Sequence, residues 1–357
     1  MSGKKKGLSD LMTGDILEQE IHEQPDVLKN LIERESNHVA HVAQETRGTF
    51  DYVIIAARGT SDNAARYAQY LLGAHNQIPV ALATPSLFTL YRKPPLMKSA
   101  LVMGISQSGQ SPDIVSVVEE GKRQGQPTVA ITNDPESPLG SIADHVIQLH
   151  TGRERSVAAT KTYTASLCAL ALLSAHLNSD DDALAQLNDL PERMEEVIVG
   201  TSAYLPRVER YRFIEHLSVI GRGFNYATAF EISLKITELT QTVAEPYSSA
   251  DFLHGPIAMV TEGFPVIVIS PRGSVLEDMR ALVERLRELN PELIIISDEP
   301  DLLAQANLGF PLPTGLPEWL TPMISVVPGQ LFSLALARDR GLDPDKPEGL
   351  TKVTETW

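Results

Sequence analysis

The 357-residue sequence contains one cysteine, Cys168. A single thiol excludes an intramolecular disulfide framework and a multi-cysteine zinc site, and it suits a reducing compartment. No His/Asp/Glu cluster at ligand spacing compensates, so neither a metal nor a cofactor is expected. Basic charge is also short: 30 Lys and Arg stand against 46 Asp and Glu, a net charge of −16. A nucleic-acid binder needs a basic face to neutralise phosphates, and this balance argues against one. It leaves room for a small anion, which one local site can bind against the global charge. Long apolar runs are missing as well. Leu167–Leu177 is the most apolar helix-like run on inspection, but Ser174 and His176 interrupt it and it is too short to span a bilayer. Lys4, Lys5 and Lys6 are followed by no apolar stretch, so no signal peptide is expected. These absences predict a soluble, cytoplasmic protein with no membrane partner.

What is present is the balance of a globular chain, with 43% hydrophobic and 21% charged residues. The length allows two or three domains. Short apolar runs alternate with longer amphipathic stretches, which predicts an α/β fold with parallel sheets. Candidate strands are Tyr52–Ala56, Leu101–Ile105, Thr128–Ile131, His145–Leu149, Leu217–Ile220, Val266–Ile269 and Leu293–Ile296. The chain also repeats itself. Arg58-Gly59 recurs as Arg222-Gly223, Ser106 and Gly109 as Ser270 and Gly273, and Asp134 as Asp298, each 164 positions on. Thr151-Gly152 recurs as Thr314-Gly315 with the register slipped by one. One offset held over three strand–loop junctions predicts two tandem α/β subdomains, 45–190 and 200–340. Residues 1–44 form a helical lead-in with Ile16, Ile21, Val27, Leu28, Leu31 and Ile32 as its apolar stripe. The polar stretch Asn178–Glu196 reads as the connection, and 341–357 as an extended tail.

Several junctions carry chemistry. Ser106-Gln107-Ser108-Gly109-Gln110-Ser111 follows a strand and precedes a helix. Hydroxyls, a flexible glycine and free amides at a helix N-terminus are what a phosphate monoester needs. One serine there would be an ordinary cap; three within six residues favour a ligand. The loop Arg58-Gly59-Thr60-Ser61 is a weaker copy, and the two would face each other across the crevice at the sheet's carboxyl edge. Glu154-Arg155-Ser156-Val157-Ala158-Ala159-Thr160-Lys161 allows close backbone approach to a ligand and equally suits plain helix packing. Glu231, Lys235 and Glu238 fall on one helix face, where a solvated charge stripe is the usual reading. Their position after Gly221-Arg222-Gly223 weakens that reading. His254-Gly255-Pro256 offers an acid/base on a fixed loop, although a lone histidine is more often structural.

Together these motifs resemble the SIS (sugar isomerase) domain family, above all the isomerase module of glucosamine-6-phosphate synthase and the stand-alone deaminases. The resemblance covers almost the whole chain. It runs from the lead-in Glu18-Gln19-Glu20-Ile21-His22-Glu23-Gln24-Pro25 through Gly59-Thr60-Ser61, Ser106-Gln107-Ser108-Gly109, Val157-Ala158-Ala159-Thr160-Lys161, Gly221-Arg222-Gly223 and His254-Gly255-Pro256 to Leu350-Thr351-Lys352-Val353-Thr354. It implies two flavodoxin-like subdomains, each a parallel sheet sandwiched by helices. It further implies that Gly59, Thr60, Ser61, Ser106, Gln107, Ser108 and Ser111 hold a sugar phosphate, with Val157 and Ala159 along the sugar. Glu238 would move the proton between C1 and C2, and Glu231 and Lys235 would line the same site. His254 would open the ring from the partner subunit of a homodimer, and Lys352 would be the tail lysine able to form a Schiff base with the ketose. Two departures stand out: Arg58 replaces a small residue and Ala159 a serine. No glutaminase cysteine precedes the module, which points to deamination of glucosamine 6-phosphate. A fructosamine-6-phosphate deglycase, a galactosamine-6-phosphate deaminase/isomerase and a non-catalytic sugar-phosphate sensor are the alternatives. The sensor lacks its expected DNA-binding module and basic charge.

Overall fold

A computed structural model describes residues 13–352. The lysines at positions 4–6 and Val353 and Thr354 of the tail lie outside the described residues. Two helices lead in, α1 (Asp15–His22) and α2 (Gln24–Thr46). Leu17 rather than Ile16 joins the buried stripe with Ile21, Val27, Leu28, Leu31 and Ile32. The first sheet then alternates with helices: β1 (Tyr52–Ala56), α3 (Thr60–Asn76), β2 (Val80–Leu82), α4 (Ser86–Thr89), β3 (Ala100–Ile105), α5 (Pro112–Arg123), β4 (Thr128–Thr132), α6 (Pro138–Ile142) and β5 (His145–Gln148). Helices α7 (Lys161–Asn178), α8 (Asp181–Asn188) and α9 (Leu190–Ser202) lead to the second half. That half holds β6 (His216–Gly221), α10 (Tyr226–Thr240), β7 (Val243–Ser248), α11 (Ser249–Leu253), β8 (Pro265–Ile269), α12 (Leu276–Arg287), β9 (Glu292–Ser297), α13 (Pro300–Leu303), β10 (Leu308–Pro311) and α14 (Thr321–Asp339).

Both sheets are wholly parallel and share one strand order, β2-β1-β3-β4-β5 and β7-β6-β8-β9-β10. The 164-residue repeat is visible in the registers themselves. Ile54 pairs with Ala81 and Val102; Ser218 pairs with Glu245 and Val266, each 164 positions further on. Central strands β3, β4 and β8 are buried along their whole length, as their continuous Val/Ile/Leu content demands. One apolar core runs continuously between the halves, from Val53 and Met103 to Val219 and Ile267. Each half has a second core on its outer face, around Val102 and Val118 and around Val268 and Leu282.

Three sequence expectations change. The stretch Asn178–Glu196 is not a plain connection: its polar surface hides α8 and the first half of α9, which bury Leu187, Leu190 and Met194. Strands β2, β7 and β10 went unrecognised because they are edge or second strands, short or carrying Pro246, Gly309 and Pro311. Besides Leu167–Leu177 the chain has a longer apolar segment, Glu318–Asp339, in which an 18-residue window has a mean hydropathy of 1.5 and length enough for a membrane span. Within this fold 94% of that window is buried, and Gly329 lets α14 close onto Ile232 of α10.

Candidate active site

Strands β1 and β3 are neighbours, so the loops that leave their carboxyl ends stand side by side. After β3 the chain folds back on itself: Ser106 Oγ accepts from Gly109 N at 3.1 Å and Ser108 Oγ from Gln110 N at 3.3 Å. Gly109 has φ +61°, and a Cβ there would meet Ser137 Oγ at 2.0 Å, so only glycine makes this turn. Ser111 then takes the N-cap position of α5, its side chain making no capping hydrogen bond. After β1, Gly59 turns the chain into α3, bringing Thr60 and Ser61 opposite.

These loops line a cavity of about 330 Å³ together with Arg58, Val157, Ala159, Lys235, Glu238, Leu350, Thr351 and Lys352. Gly59, Thr60, Ser61, Ser106, Gln107, Ser108 and Ser111 all face it. Thus segments more than two hundred residues apart in sequence, from both halves and the tail, meet at one crevice.

The second half contributes α10, which packs on α3 and carries the charged face into the cavity. Lys235 Nζ bonds the Glu238 carboxylate, lies 3.3 Å from Thr60 Oγ1, and stands 3.6 Å from Glu231 Oε1. Glu231 is fully buried and does not line the cavity; it sits behind Lys235, accepting from Asn63 Nδ2 at 2.8 Å and Thr60 Oγ1 at 3.2 Å. Burial pushes its carboxyl up to about 7, against the opposing pull of Lys235. Burial also works against the Lys235 ammonium, but Glu238 and Glu231 outweigh it and raise its pKa. The face is therefore a chain of polar contacts, Glu231–Thr60–Lys235–Glu238, with Glu231 and Lys235 buried and Thr60 and Glu238 partly open to the cavity.

The tail reaches the opposite wall, where Lys352 Nζ lies 2.8 Å from Glu154 Oε2. Arg58, at the rim, pairs with the buried Asp113 at 2.7 Å. Every cation of the cavity thus has a carboxylate partner, and the hydroxyls and amides of the Ser106–Ser111 loop are what remains for an anion.

His254 is not brought to this cavity in the single chain: it ends α11 and is exposed. Cys168 lies in the core of α7, its thiol pushed up to about 12 by burial. Among the described residues no group of three or more His, Cys, Asp or Glu is placed to hold a metal ion. Sequence reasoning missed Asn63, Asp113 and the role of Glu154. The only available signal for Glu154 was an acidic residue inside a run of small ones, which composition alone assigns to solvent.

Comparison with known proteins agrees with the fold. The SIS domain profile matches the chain twice, over residues 51–175 and 213–338. Glutamine–fructose-6-phosphate aminotransferase (isomerizing) of Gloeobacter violaceus is 33% identical over 351 residues, covering 94% of this chain and 57% of that protein. The chain therefore spans a little over half the length of this curated relative. A candidate phosphosugar isomerase from Silicibacter pomeroyi superposes with a TM-score of 0.83 at 32% identity, over 94% of this chain and 100% of that one. The C-terminal domain of glucosamine-fructose-6-phosphate aminotransferase from Francisella tularensis gives 0.82 at 25% identity, over 96% and 100%.

Proposed function

The chain belongs to the SIS domain family, and from that premise we propose that it deaminates an aminosugar phosphate, converting glucosamine 6-phosphate to fructose 6-phosphate and ammonia. The observation that carries this reading is the meeting of two things in one cavity: the hydroxyl-lined loop Ser106–Ser111 and the Glu238–Lys235 pair. A phosphate held by the hydroxyls of Ser61, Ser106, Ser108 and Ser111 fixes one end of the sugar. The other end then lies along Val157 and Ala159 towards Glu238.

The open-chain aminosugar loses its C2 proton to Glu238, which returns it to C1. Lys235 orients that carboxylate throughout. The resulting C2 imine takes up water and releases ammonia, leaving the ketone of fructose 6-phosphate. Lys352 approaches the reacting carbons from the tail side.

Ring opening falls to His254 of a second copy in a homodimer, consistent with its exposure and its absence from this chain's own cavity. Mixing His254→Ala with Glu238→Gln subunits should restore one of the two sites in each mixed dimer, about a quarter of all sites after random mixing. No rescue in verified mixed dimers would remove the shared-site assignment.

A second reading draws on Arg58, whose half-exposed guanidinium at the rim fits a carboxylate carried on the sugar nitrogen, as in a fructosamine 6-phosphate. The test is one substrate panel. Glucosamine 6-phosphate should yield equal amounts of ammonia and fructose 6-phosphate. Release of an amino acid from a glycated phosphate, with no ammonia from glucosamine 6-phosphate, would replace deamination by deglycation; turnover of galactosamine 6-phosphate alone would change the sugar.

A further inference from the structure

Among the described residues, Glu154 is the one fully buried carboxylate that bonds both the phosphate loop and the tail. It stands in the loop between β5 and α7. Its Oε1 accepts from the backbone N–H groups of Thr160 at 3.0 Å and Thr162 at 3.2 Å, which fixes it to the start of α7. Its Oε2 accepts from Thr162 Oγ1 at 2.8 Å, Gln107 Nε2 at 2.9 Å and Lys352 Nζ at 2.8 Å. One oxygen thus holds a side chain from the phosphate loop and the tail lysine at once, while the other is anchored to a helix.

The tail has a second fixed point. Asp345 accepts through its carboxylate from the amides of Gly14 at 3.2 Å, Ile16 at 3.3 Å and Leu17 at 2.8 Å, at the start of α1. Its carbonyl accepts from Val157 N at 3.5 Å, beside the cavity. Between Asp345 and Lys352 the chain has neither helix nor strand, and Leu350 and Thr351 line the cavity. Residues 346–351 are therefore a strap pinned at one end and fastened at the other.

We propose that Glu154 is a positioning residue that fastens this strap and couples it to the phosphate loop, so that the tail wall and Gln107 take up their places together. Its significance for turnover rests on the sugar-phosphate reading above; the fastening itself does not. A buried carboxylate meeting five donors is costly to leave half-satisfied, so loss of either partner loosens the other. Lys352 then presents its ammonium to the sugar only while Glu154 holds it.

The test uses the full chain in two arms. In the first, amide hydrogen exchange is followed at residues 346–352 without ligand. Glu154→Gln should raise exchange there and leave the β3 and β4 amides protected; unchanged exchange in the strap would overturn the proposal. In the second, fructose 6-phosphate affinity is measured by calorimetry across the Glu154→Gln and Lys352→Met cycle. Each single variant should lose about tenfold and the double variant about tenfold as well, not about a hundredfold. Multiplying losses would mean two independent structural roles. If Glu154→Gln does not fold, the Gln107→Ala and Lys352→Met cycle reads the same coupling, since both side chains bond the same Glu154 oxygen. Failure of the wild-type chain to bind fructose 6-phosphate would strike the sugar-phosphate reading, while the exchange arm would still decide the fastening.

Discussion

The two halves share a strand order and even a register, yet their crevices are built in opposite ways. In the first, the loop after β3 offers hydroxyls and amides to a cavity. In the second, the loop after β8 is filled by the chain's own carboxylates. Glu318 Oε2 accepts from Ser274 N at 2.7 Å, Asp298 Oδ1 from Arg272 N at 2.6 Å, and Glu299 holds the Arg272 guanidinium. A Cβ on Gly273 would meet the Glu318 carboxyl carbon at 2.3 Å, so the internal anion sits tight against the turn. The equivalent Gly109 instead closes onto Ser137, leaving the cavity side free. One topology thus serves two ends: an open, hydroxyl-lined turn in the first half, and in the second a turn closed by Glu318, while α10 brings Lys235 and Glu238 across to the first half's cavity.

The comparison breaks most visibly at Glu238. Glu238→Gln should cut kcat about 100- to 10,000-fold while fructose 6-phosphate affinity stays within about threefold, because the cradle lies in the other half. Next comes a copy of the second half's solution into the first. Ser108→Asp would place a carboxylate in the open cradle and should raise KM about a hundredfold through like-charge repulsion, with little change in melting temperature.

A smaller effect separates the two halves by pH. Burial raises Glu231 from 4.5 to about 7, so between those values the folded chain holds a proton that the unfolded chain releases. Its contribution to stability is whole below about 4.5 and is lost as pH rises through about 7. Melting temperatures of wild type should therefore fall across that window, and Glu231→Gln should flatten the fall. The smallest effect is expected at Glu318. Glu318→Ala leaves the Ser274 amide without its acceptor and should cost about 1–2 kcal/mol in chemical unfolding. KM for the sugar phosphate should not move by more than about twofold.

Much of this was legible in the sequence, for physical reasons that also mark where legibility ends. The central strands announce themselves because burial on both faces demands unbroken apolar runs, and the 164-residue offset survives because junction residues are tied to strand register. Edge strands β2 and β10 carry no such demand. The acidic surface of α8 and α9 concealed their buried stripe, since one polar face outweighs three or four apolar positions in composition. At the site, Ser106–Ser111 was readable as a local pattern on one loop. Glu231 was legible as part of a helix face but not as a buried group, because its depth is set by α3 of the other half. Glu154 was opaque: Thr160 and Thr162 are near in sequence, but Gln107 and Lys352, which tie it to the cavity, lie in no local window with it. His254 does not line this chain's cavity.

The account turns on where a phosphosugar goes. A crystal structure with fructose 6-phosphate should place the phosphorus within the cradle of Ser61, Ser106, Ser108 and Ser111, with C1 and C2 facing the Glu238 carboxylate and no density at the Gly273–Ser274 turn. A sugar phosphate bound at that second-half turn, or one in the first cradle with its C1–C2 end directed away from Glu238, would contradict it.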